Sequence, residues 1–125
     1  MFFNRPEIHH YVIEIFRPEQ NINDNRDIED LVESFVKKIN LTIVKTVEHD
    51  FTPYGATKLF ILSSSHLAVH TWPENEYMHL DLLVCSEISE ESISRASEEI
   101  FSGIVSVKQI TPYETGTLIL HGLDS

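Results

Sequence analysis

Several residue types are scarce in this sequence, and each shortage narrows what the protein can be. One cysteine in 125 residues excludes an internal disulfide and favours a reducing compartment, so we expect a cytoplasmic protein. Nine lysines and arginines stand against twenty aspartates and glutamates, and the formal net charge is -11. A nucleic-acid surface needs clustered basic residues, so we expect no nucleic-acid partner. The acidic balance leaves two interpretations, which are solubility and attraction of a cationic substrate.

Long apolar runs are also missing. No stretch approaches the length of a membrane span, so we expect no membrane partner. Residues 1–6 do not combine a basic segment with a long apolar one, and we therefore expect no secretory signal. The length suits a single domain over residues 1–125.

Apolar periodicity predicts an α+β protein. Alternation predicts a strand over residues 8–16, and helical spacing from Ile28 to Ile39 predicts a helix that Asp27 caps and Asn40 ends. Further strands are expected at 41–49, 57–62, 67–72, 77–85, 104–110 and 117–120, with a second helix from a Ser89 cap to about Ser102 that buries Ile93, Ala96 and Ile100. Short turns between the middle strands favour antiparallel pairing. We therefore predict a two-layer α/β sandwich, in which two helices cover one face of an antiparallel sheet.

Residues capable of chemistry concentrate in the middle of the chain. Ser63 to Ser65 lie between two predicted strands, where they form either a polar turn or the site of a nucleophilic hydroxyl. His70 lies on a strand, so it reaches that turn only if the turn folds back or a partner strand presents the imidazole. Cys85 is either an inert small hydrophobe or a proton donor. Glu74, taken alone, would be a solvated carboxylate.

The histidines raise the alternative of a metal site. His66 and His70 share one face of a predicted strand, and His9, His10 and His79 lie on other strands. Residues four apart in a strand are separated by about 13 Å, which argues against two ligands of one ion. We therefore expect no metal and favour hydrogen-bonded histidines.

The middle of the chain resembles the prokaryotic S-adenosylmethionine decarboxylases, which are small pyruvoyl-dependent enzymes of polyamine synthesis. The resemblance rests on Phe-x-Pro-Tyr-Gly-Ala-Thr at 51–57, on Ser-His-Leu-Ala-Val-His-Thr-Trp-Pro-Glu at 65–74, and on the cysteine twenty residues after the serine. It implies that the precursor cleaves itself between Ser64 and Ser65, into a β chain of residues 1–64 and an α chain of residues 65–125.

The resemblance also implies a role for each matched residue. Ser65 would become the pyruvoyl cofactor that forms a Schiff base with the substrate. His70 would accept a proton in processing, and Cys85 would donate one in catalysis. The remaining matched residues would act in processing (Ser64, Thr57) and in substrate binding (Phe51, Glu74). The implied substrate is a cationic amino acid, S-adenosylmethionine, whose decarboxylated product supplies aminopropyl groups for spermidine.

Two features depart from the family pattern and leave alternatives open. Ser64 stands where the family usually has glutamate, and Ile8-His9-His10 replaces a usual Gly-Arg-His. One alternative is an arginine or ornithine decarboxylase with the same cofactor. Another is a homologue that does not cleave itself and binds a ligand without catalysis. The resemblance further implies a homodimer of processed αβ units, whose active sites use residues from neighbouring protomers.

Overall fold

The computed structural model describes residues 6–20, 22–50 and 55–110. Its elements, in chain order, are β1 (His9–Phe16), α1 (Asn25–Lys38), β2 (Ile43–Asp50), β3 (Ala56–Leu62), β4 (His66–Trp72), β5 (Tyr77–Val84), α2 (Glu90–Ile100) and β6 (Ile104–Ile110). A 3-10 turn, Pro73–Asn75, joins β4 to β5. This order agrees with the prediction, and the strand expected at 117–120 lies outside the described residues. None of the described helices is long and apolar enough to cross a membrane.

The strands form one antiparallel sheet. Their order is β2-β3-β4-β5-β1-β6, and every neighbouring pair is antiparallel. β2 to β5 follow one another along the chain, whereas β1 lies between β5 and β6. The predicted α+β class is therefore confirmed.

The hydrophobic core lies between the sheet and the two helices. Alternate residues of β1, among them Ile13 and Ile15, are fully buried, because successive strand side chains point to opposite faces. Helix α1 packs an apolar stripe on that face, and α2 adds a shorter one; the two stripes contribute Ile28, Val32, Phe35, Val36, Ile93 and Ala96. The rings of Phe35 and Phe101 lie 5.6 Å apart, beneath the helices. Both helices therefore cover the same face, as predicted.

Helix α1 begins earlier than predicted. The Asp24 carboxylate accepts hydrogen bonds from the backbone N–H groups of Arg26 (2.8 Å) and Asp27 (3.2 Å), so Asp24 is the N-cap. The prediction that Asp27 caps this helix is wrong, because the apolar spacing starts at Ile28 and does not register the polar turn before it. Asp27 lies instead in the first turn, where its charge favours the helix dipole.

Helix α2 begins at the predicted cap but ends sooner. Ser89 Oγ accepts a hydrogen bond from the Ser92 backbone N–H at 3.1 Å. The last helical residue is Ile100, two residues before the expected end, and its side chain is only partly buried. Gly103 follows with φ of 105°, and a Cβ there would lie 2.6 Å from the Phe16 carbonyl oxygen. The turn into β6 therefore requires glycine.

The second face of the sheet, here called the free face, has no helix over it. Large apolar side chains on this face are exposed, among them Val47 at 50% and Ile104 at 63%. Others on the same face are Phe16, Leu59, Ile61 and Ile110. Polar and aromatic side chains lie between them, and they include the candidate site residues Thr57 and His70.

Candidate active site

A turn at residues 63–65 connects β3 to β4. The Leu62 N–H donates to the Ser65 carbonyl at 2.9 Å, and the Ser63 N–H donates to the Thr42 carbonyl at 3.2 Å. These bonds hold both sides of the turn at one end of the sheet. Ser63 and Ser64 are exposed, whereas Ser65 is half-buried at the point where β4 is about to begin.

The Ser65 hydroxyl is buried without a partner. Its Oγ makes no hydrogen bond to any other described residue. Leaving a buried hydroxyl unpaired costs about 1–3 kcal/mol, so such groups are rare unless they serve a purpose. A hydroxyl free of other hydrogen bonds, next to the Ser64–Ser65 peptide bond, suits the part of an internal nucleophile.

His70 lies on β4, directly opposite Thr57 of β3. Thr57 Oγ1 and His70 Nδ1 are 2.9 Å apart and hydrogen-bonded. When the proton resides on Nδ1 and is donated to Thr57, the Nε2 atom is left as the acceptor. Thr57 therefore orients the imidazole for proton acceptance.

The electrostatic surroundings favour a neutral His70. Burial lowers the pKa of His70, the charge of His79 lowers it further, and Asp81 acts in the opposite direction. The net shift is downward from the ordinary value. Because a general base must be unprotonated, this shift extends to lower pH the range in which His70 can act.

Ser65 and His70 do not meet within one copy of the chain. His70 follows Ser65 by five positions of extended chain, a distance of about 16 Å between Cα atoms. The His70 ring lies instead beside Thr57 and the Trp72 ring, whose centroid is 5.8 Å away. The turn before β4 does not fold back towards the imidazole, so the two groups lie apart in this chain.

Cys85 lies at the serine end of the sheet. His66 of β4 pairs with Leu83 of β5, so the turn that contains Ser65 is adjacent to the end of β5. The Cys85 thiol is free and exposed there. One end of the sheet thus carries both the Ser64–Ser65 peptide bond and the thiol.

The opposite end carries the remaining candidates that the structure describes. Glu74 is exposed in the 3-10 turn after β4. Thr57 and His70 lie nearer to this end than Ser65 does. Phe51 lies outside the described residues. The described candidate residues therefore form two groups, at opposite ends of one sheet.

His79 was considered from the sequence only as one of the histidines of a metal site, and it had no role in the candidate active site. The pairing register places it directly opposite His70, in a row that crosses all six strands and consists of His49, Thr57, His70, His79, Glu14 and Ser106. The His70 and His79 ring centroids are 6.2 Å apart. This placement could have been predicted from the sequence, because the alternation of β4 and β5 and the short turn between them determine which residues face each other.

An aromatic row runs beside the polar one. The Tyr77 ring lies 5.7 Å from Trp72 and 5.3 Å from Phe16, and these three side chains and Asn75 line an open cavity of about 400 Å³. The Tyr77 hydroxyl donates to Glu14 Oε2 at 2.8 Å. Burial and this carboxylate raise the pKa of Tyr77 to about 12, so the phenol remains protonated. Aromatic faces of this kind attract cations and planar rings.

The histidines of the described ranges do not converge on a metal site. No three side chains among histidine, cysteine, aspartate and glutamate gather there in a metal-binding arrangement. His10 is hydrogen-bonded to Asp81, and His9 Nε2 lies 2.8 Å from Glu7 Oε1.

Comparison with known proteins gives one consistent result. A family model described as S-adenosylmethionine decarboxylase matches residues 9–111. The S-adenosylmethionine decarboxylase proenzyme of Prochlorococcus marinus is 27% identical over 118 residues, which are 90% of this chain and 94% of that protein. The proenzyme of Methanococcus maripaludis is 35% identical over 79 residues, which are 62% and 65% of the two chains. That of Acidithiobacillus ferrooxidans is 33% identical over 91 residues, which are 71% and 68%.

A solved structure supports the fold. The crystal structure of the adenosylmethionine decarboxylase from Aquifex aeolicus superimposes with a TM-score of 0.67, over 91% of this chain and 100% of that one. The identity between the two is 24%, so this likeness bears on the architecture alone.

Proposed function

Since this chain belongs to the S-adenosylmethionine decarboxylase family and is a decarboxylase, we propose that it activates itself by cleavage and acts on S-adenosylmethionine. The product would supply aminopropyl groups for spermidine, and the enzyme would work in the cytoplasm. One structural observation carries the proposal of self-cleavage, namely the buried and unpartnered Ser65 hydroxyl beside the Ser64 carbonyl.

Self-cleavage would proceed by an acyl shift and an elimination. Ser65 Oγ attacks the Ser64 carbonyl carbon, the amide C–N bond breaks, and Ser64 becomes esterified to Oγ while residue 65 gains an amine. His70 removes the Cα proton of residue 65, and the Cβ–Oγ bond breaks with release of the Ser64 carboxylate. Water then hydrolyses the resulting dehydroalanine, and ammonia leaves. The β chain would end at Ser64, and the α chain would begin with a pyruvoyl group.

The residues around Ser65 fit the formation of such a group. A pyruvoyl ketone supplies the electron sink that decarboxylation of an amino acid requires. Cys85 is exposed at the same end of the sheet and would donate a proton to the substrate Cα. Glu74 and Phe51 would bind the adenosyl part of the substrate. The net charge of -11 would favour the approach of a sulfonium cation.

The working unit would be a homodimer with shared sites. About 16 Å of β4 separates Ser65 from His70 in one copy, so His70 would have to act on the Ser65 of its neighbour. The exposed apolar side chains of the free face, such as Ile61 at 39%, give two copies a surface to bury. A two-fold arrangement would set the serine end of one sheet against the Thr57–His70 end of the other.

A denaturing gel tests self-cleavage directly. The wild-type chain of 14.4 kDa should separate into two fragments of roughly half that mass, while Ser65→Ala should remain whole. A carbonyl reagent such as phenylhydrazine should label only the fragment that starts at residue 65. An intact wild-type chain that takes no label would contradict the proposal and would favour a non-cleaving homologue. Ser64, in place of the usual glutamate, is the observation that favours that second candidate.

Product analysis tests the substrate. The cleaved enzyme should release carbon dioxide from S-adenosylmethionine faster than from arginine or ornithine. The products of all three reactions can be separated by mass spectrometry. Preferential turnover of arginine or ornithine would retain the cofactor chemistry and reject the substrate.

A further inference from the structure

We propose that His79 is a positioning residue for self-cleavage, acting through His70 by disfavouring a proton on that imidazole. This inference rests on the proposed function, because it assigns His70 to proton acceptance during processing. His79 would neither touch the reacting atoms nor receive the proton itself.

The His70 ring has a neighbouring side chain on each adjacent strand and another along its own strand. Thr57 occupies one side of the ring from β3, through the 2.9 Å hydrogen bond to Nδ1. Trp72 lies along β4 with its ring centroid 5.8 Å away. On the β5 side, the position directly opposite His70 is filled by His79, 6.2 Å away between centroids. Of the two strands that flank β4, therefore, β5 alone presents a second imidazole in register with His70.

His79 also has an aromatic neighbour on its own strand. Its ring lies 6.3 Å from the Tyr77 ring, which is in turn fixed by the hydrogen bond from Tyr77 to Glu14. Glu14 pairs in register with His79 on β1. A charge that forms on His79 would therefore stay near His70 rather than swing away into solvent.

Other titratable groups on the free face have to be weighed against His79. They are His49 and Lys45 on β2, His66 on β4, Tyr77 and Asp81 on β5, His10 and Glu14 on β1, and Lys108 on β6. Asp81 pairs with Ala68, two residues before His70 on β4. Its effect on the His70 pKa opposes that of His79. His66 lies four strand residues away, about 13 Å. His79 is thus the titratable group that lies directly opposite His70.

The sign of the effect follows from the charges. A protonated His79 makes a second positive charge on His70 less favourable, which lowers the pKa of His70 in addition to the effect of burial. His70 then remains a competent base as the pH falls. Without the imidazole at position 79, His70 would take up its proton at higher pH, and cleavage would fail sooner on acidification.

The experiment follows the rate of precursor cleavage at pH 8 and at pH 6 in freshly refolded full-length chains. In His79→Gln the rate at pH 8 divided by the rate at pH 6 should be about threefold higher than in wild type. This is the size of effect expected from one screened charge at this separation. The rate at pH 8 should change little. His79→Lys, which restores a positive charge without an imidazole, should return the ratio to the wild-type value or below it. A purely structural role would not predict that rescue.

His49→Gln is the matched control. It removes an imidazole from the same row, but β3 lies between His49 and His70, so the separation is about 10 Å. Its rate ratio should remain close to that of wild type. An unchanged ratio in His79→Gln, or an equal rise in both glutamine variants, would overturn the inference.

A second measurement separates this inference from the proposed function. In Ser65→Ala chains the titration of His70 can be followed by NMR, with its signal identified by its loss in a His70→Gln chain. Adding His79→Gln should move the His70 titration to higher pH. If wild type never cleaves, the proposed function fails while this titration still measures the coupling. If wild type cleaves and the titration does not move, the inference alone is wrong.

Discussion

At the scale of single residues, the candidate chemistry depends on groups that other contacts leave available. The Ser65 hydroxyl is buried yet makes no hydrogen bond to the described residues. His70 Nδ1 is hydrogen-bonded to Thr57 Oγ1, and Nε2 is the proton acceptor in the tautomer that carries its hydrogen on Nδ1. The Cys85 thiol is exposed at the end of β5. In the proposed reaction each of these groups acts in a different step, so single substitutions should separate nucleophilic attack, proton removal and proton donation.

Cys85→Ala is expected to separate processing from turnover. The variant should cleave into two fragments like wild type, because the thiol is assigned to the proton donation that follows loss of carbon dioxide. Turnover should fall by about 10²- to 10⁴-fold, the range for removal of a general acid. Release of labelled carbon dioxide from carboxyl-labelled S-adenosylmethionine measures the turnover, and a gel of the same samples measures cleavage. A variant that remains whole would place Cys85 in processing instead.

Thr57→Val is expected to act on processing. Valine keeps the shape of threonine but removes the oxygen that bonds His70 Nδ1 at 2.9 Å, so the imidazole loses its fixed orientation and tautomer. Cleavage should slow by about tenfold or more, whereas Thr57→Ser, which retains the hydroxyl, should stay near the wild-type rate. The fraction of intact chain against time gives both rates. Equal rates in the two variants would mean that the hydroxyl does not orient His70.

At the scale of elements, the first helix offers a test of where it begins. Asp24→Ala removes the carboxylate that accepts two backbone N–H bonds, so it should lower the free energy of unfolding by about 1 kcal/mol. Asp27→Ala removes only a first-turn charge and should cost about 0.3–0.5 kcal/mol. Urea unfolding of both variants in an uncleaved Ser65→Ala chain, at one protein concentration, compares them. A larger loss for Asp27→Ala would return the cap to the position that periodicity suggested.

The elements themselves could be predicted because apolar periodicity records burial. The alternation in β1 and the helical spacing after Ile28 both mark the face turned to the core, and the structure buries those residues. The Asp24 cap was missed because a capping carboxylate lies outside the apolar pattern. Lys58 carries no sequence signal of its burial either, although it is 1% exposed and its Nζ lies 2.5 Å from Glu48 Oε2. An ion pair between two strands depends on their pairing register, and the sequence of one strand does not determine that register.

The candidate site residues could be named from the sequence, whereas their separation in the fold could not. The stretch from Ser65 to Glu74 is continuous in sequence, and a continuous motif suggests one compact site. An extended strand does the opposite, because it advances about 3.3 Å per residue and places Ser65 and Glu74 at opposite ends of the sheet. His79, far from Thr57 in sequence, belongs to the same row across the strands.

At the scale of the whole molecule, the two faces of the sheet differ in what covers them. One face is closed by the helices and holds the core. The free face exposes aliphatic side chains such as Val47 and Ile104, together with the polar and aromatic rows. The Ser64–Ser65 bond lies at one end of the sheet and His70 lies towards the other, so the proposed self-cleavage needs groups from both ends. Pairing through this face would bury the apolar surface and complete two sites in the same step.

Complementation between two inactive chains tests this arrangement. Ser65→Ala and His70→Ala should each remain whole alone, because one lacks the nucleophile and the other lacks the base. When the two are refolded together with different tags, a mixed dimer contains one site with both groups intact, formed by Ser65 of the His70→Ala chain and His70 of the Ser65→Ala chain. The His70→Ala chain alone should therefore be cut. A control partner that carries both substitutions should leave it whole. Absence of cleavage in every mixture, while wild type cleaves, would mean that Ser65 and His70 act within one chain, which the length of β4 argues against.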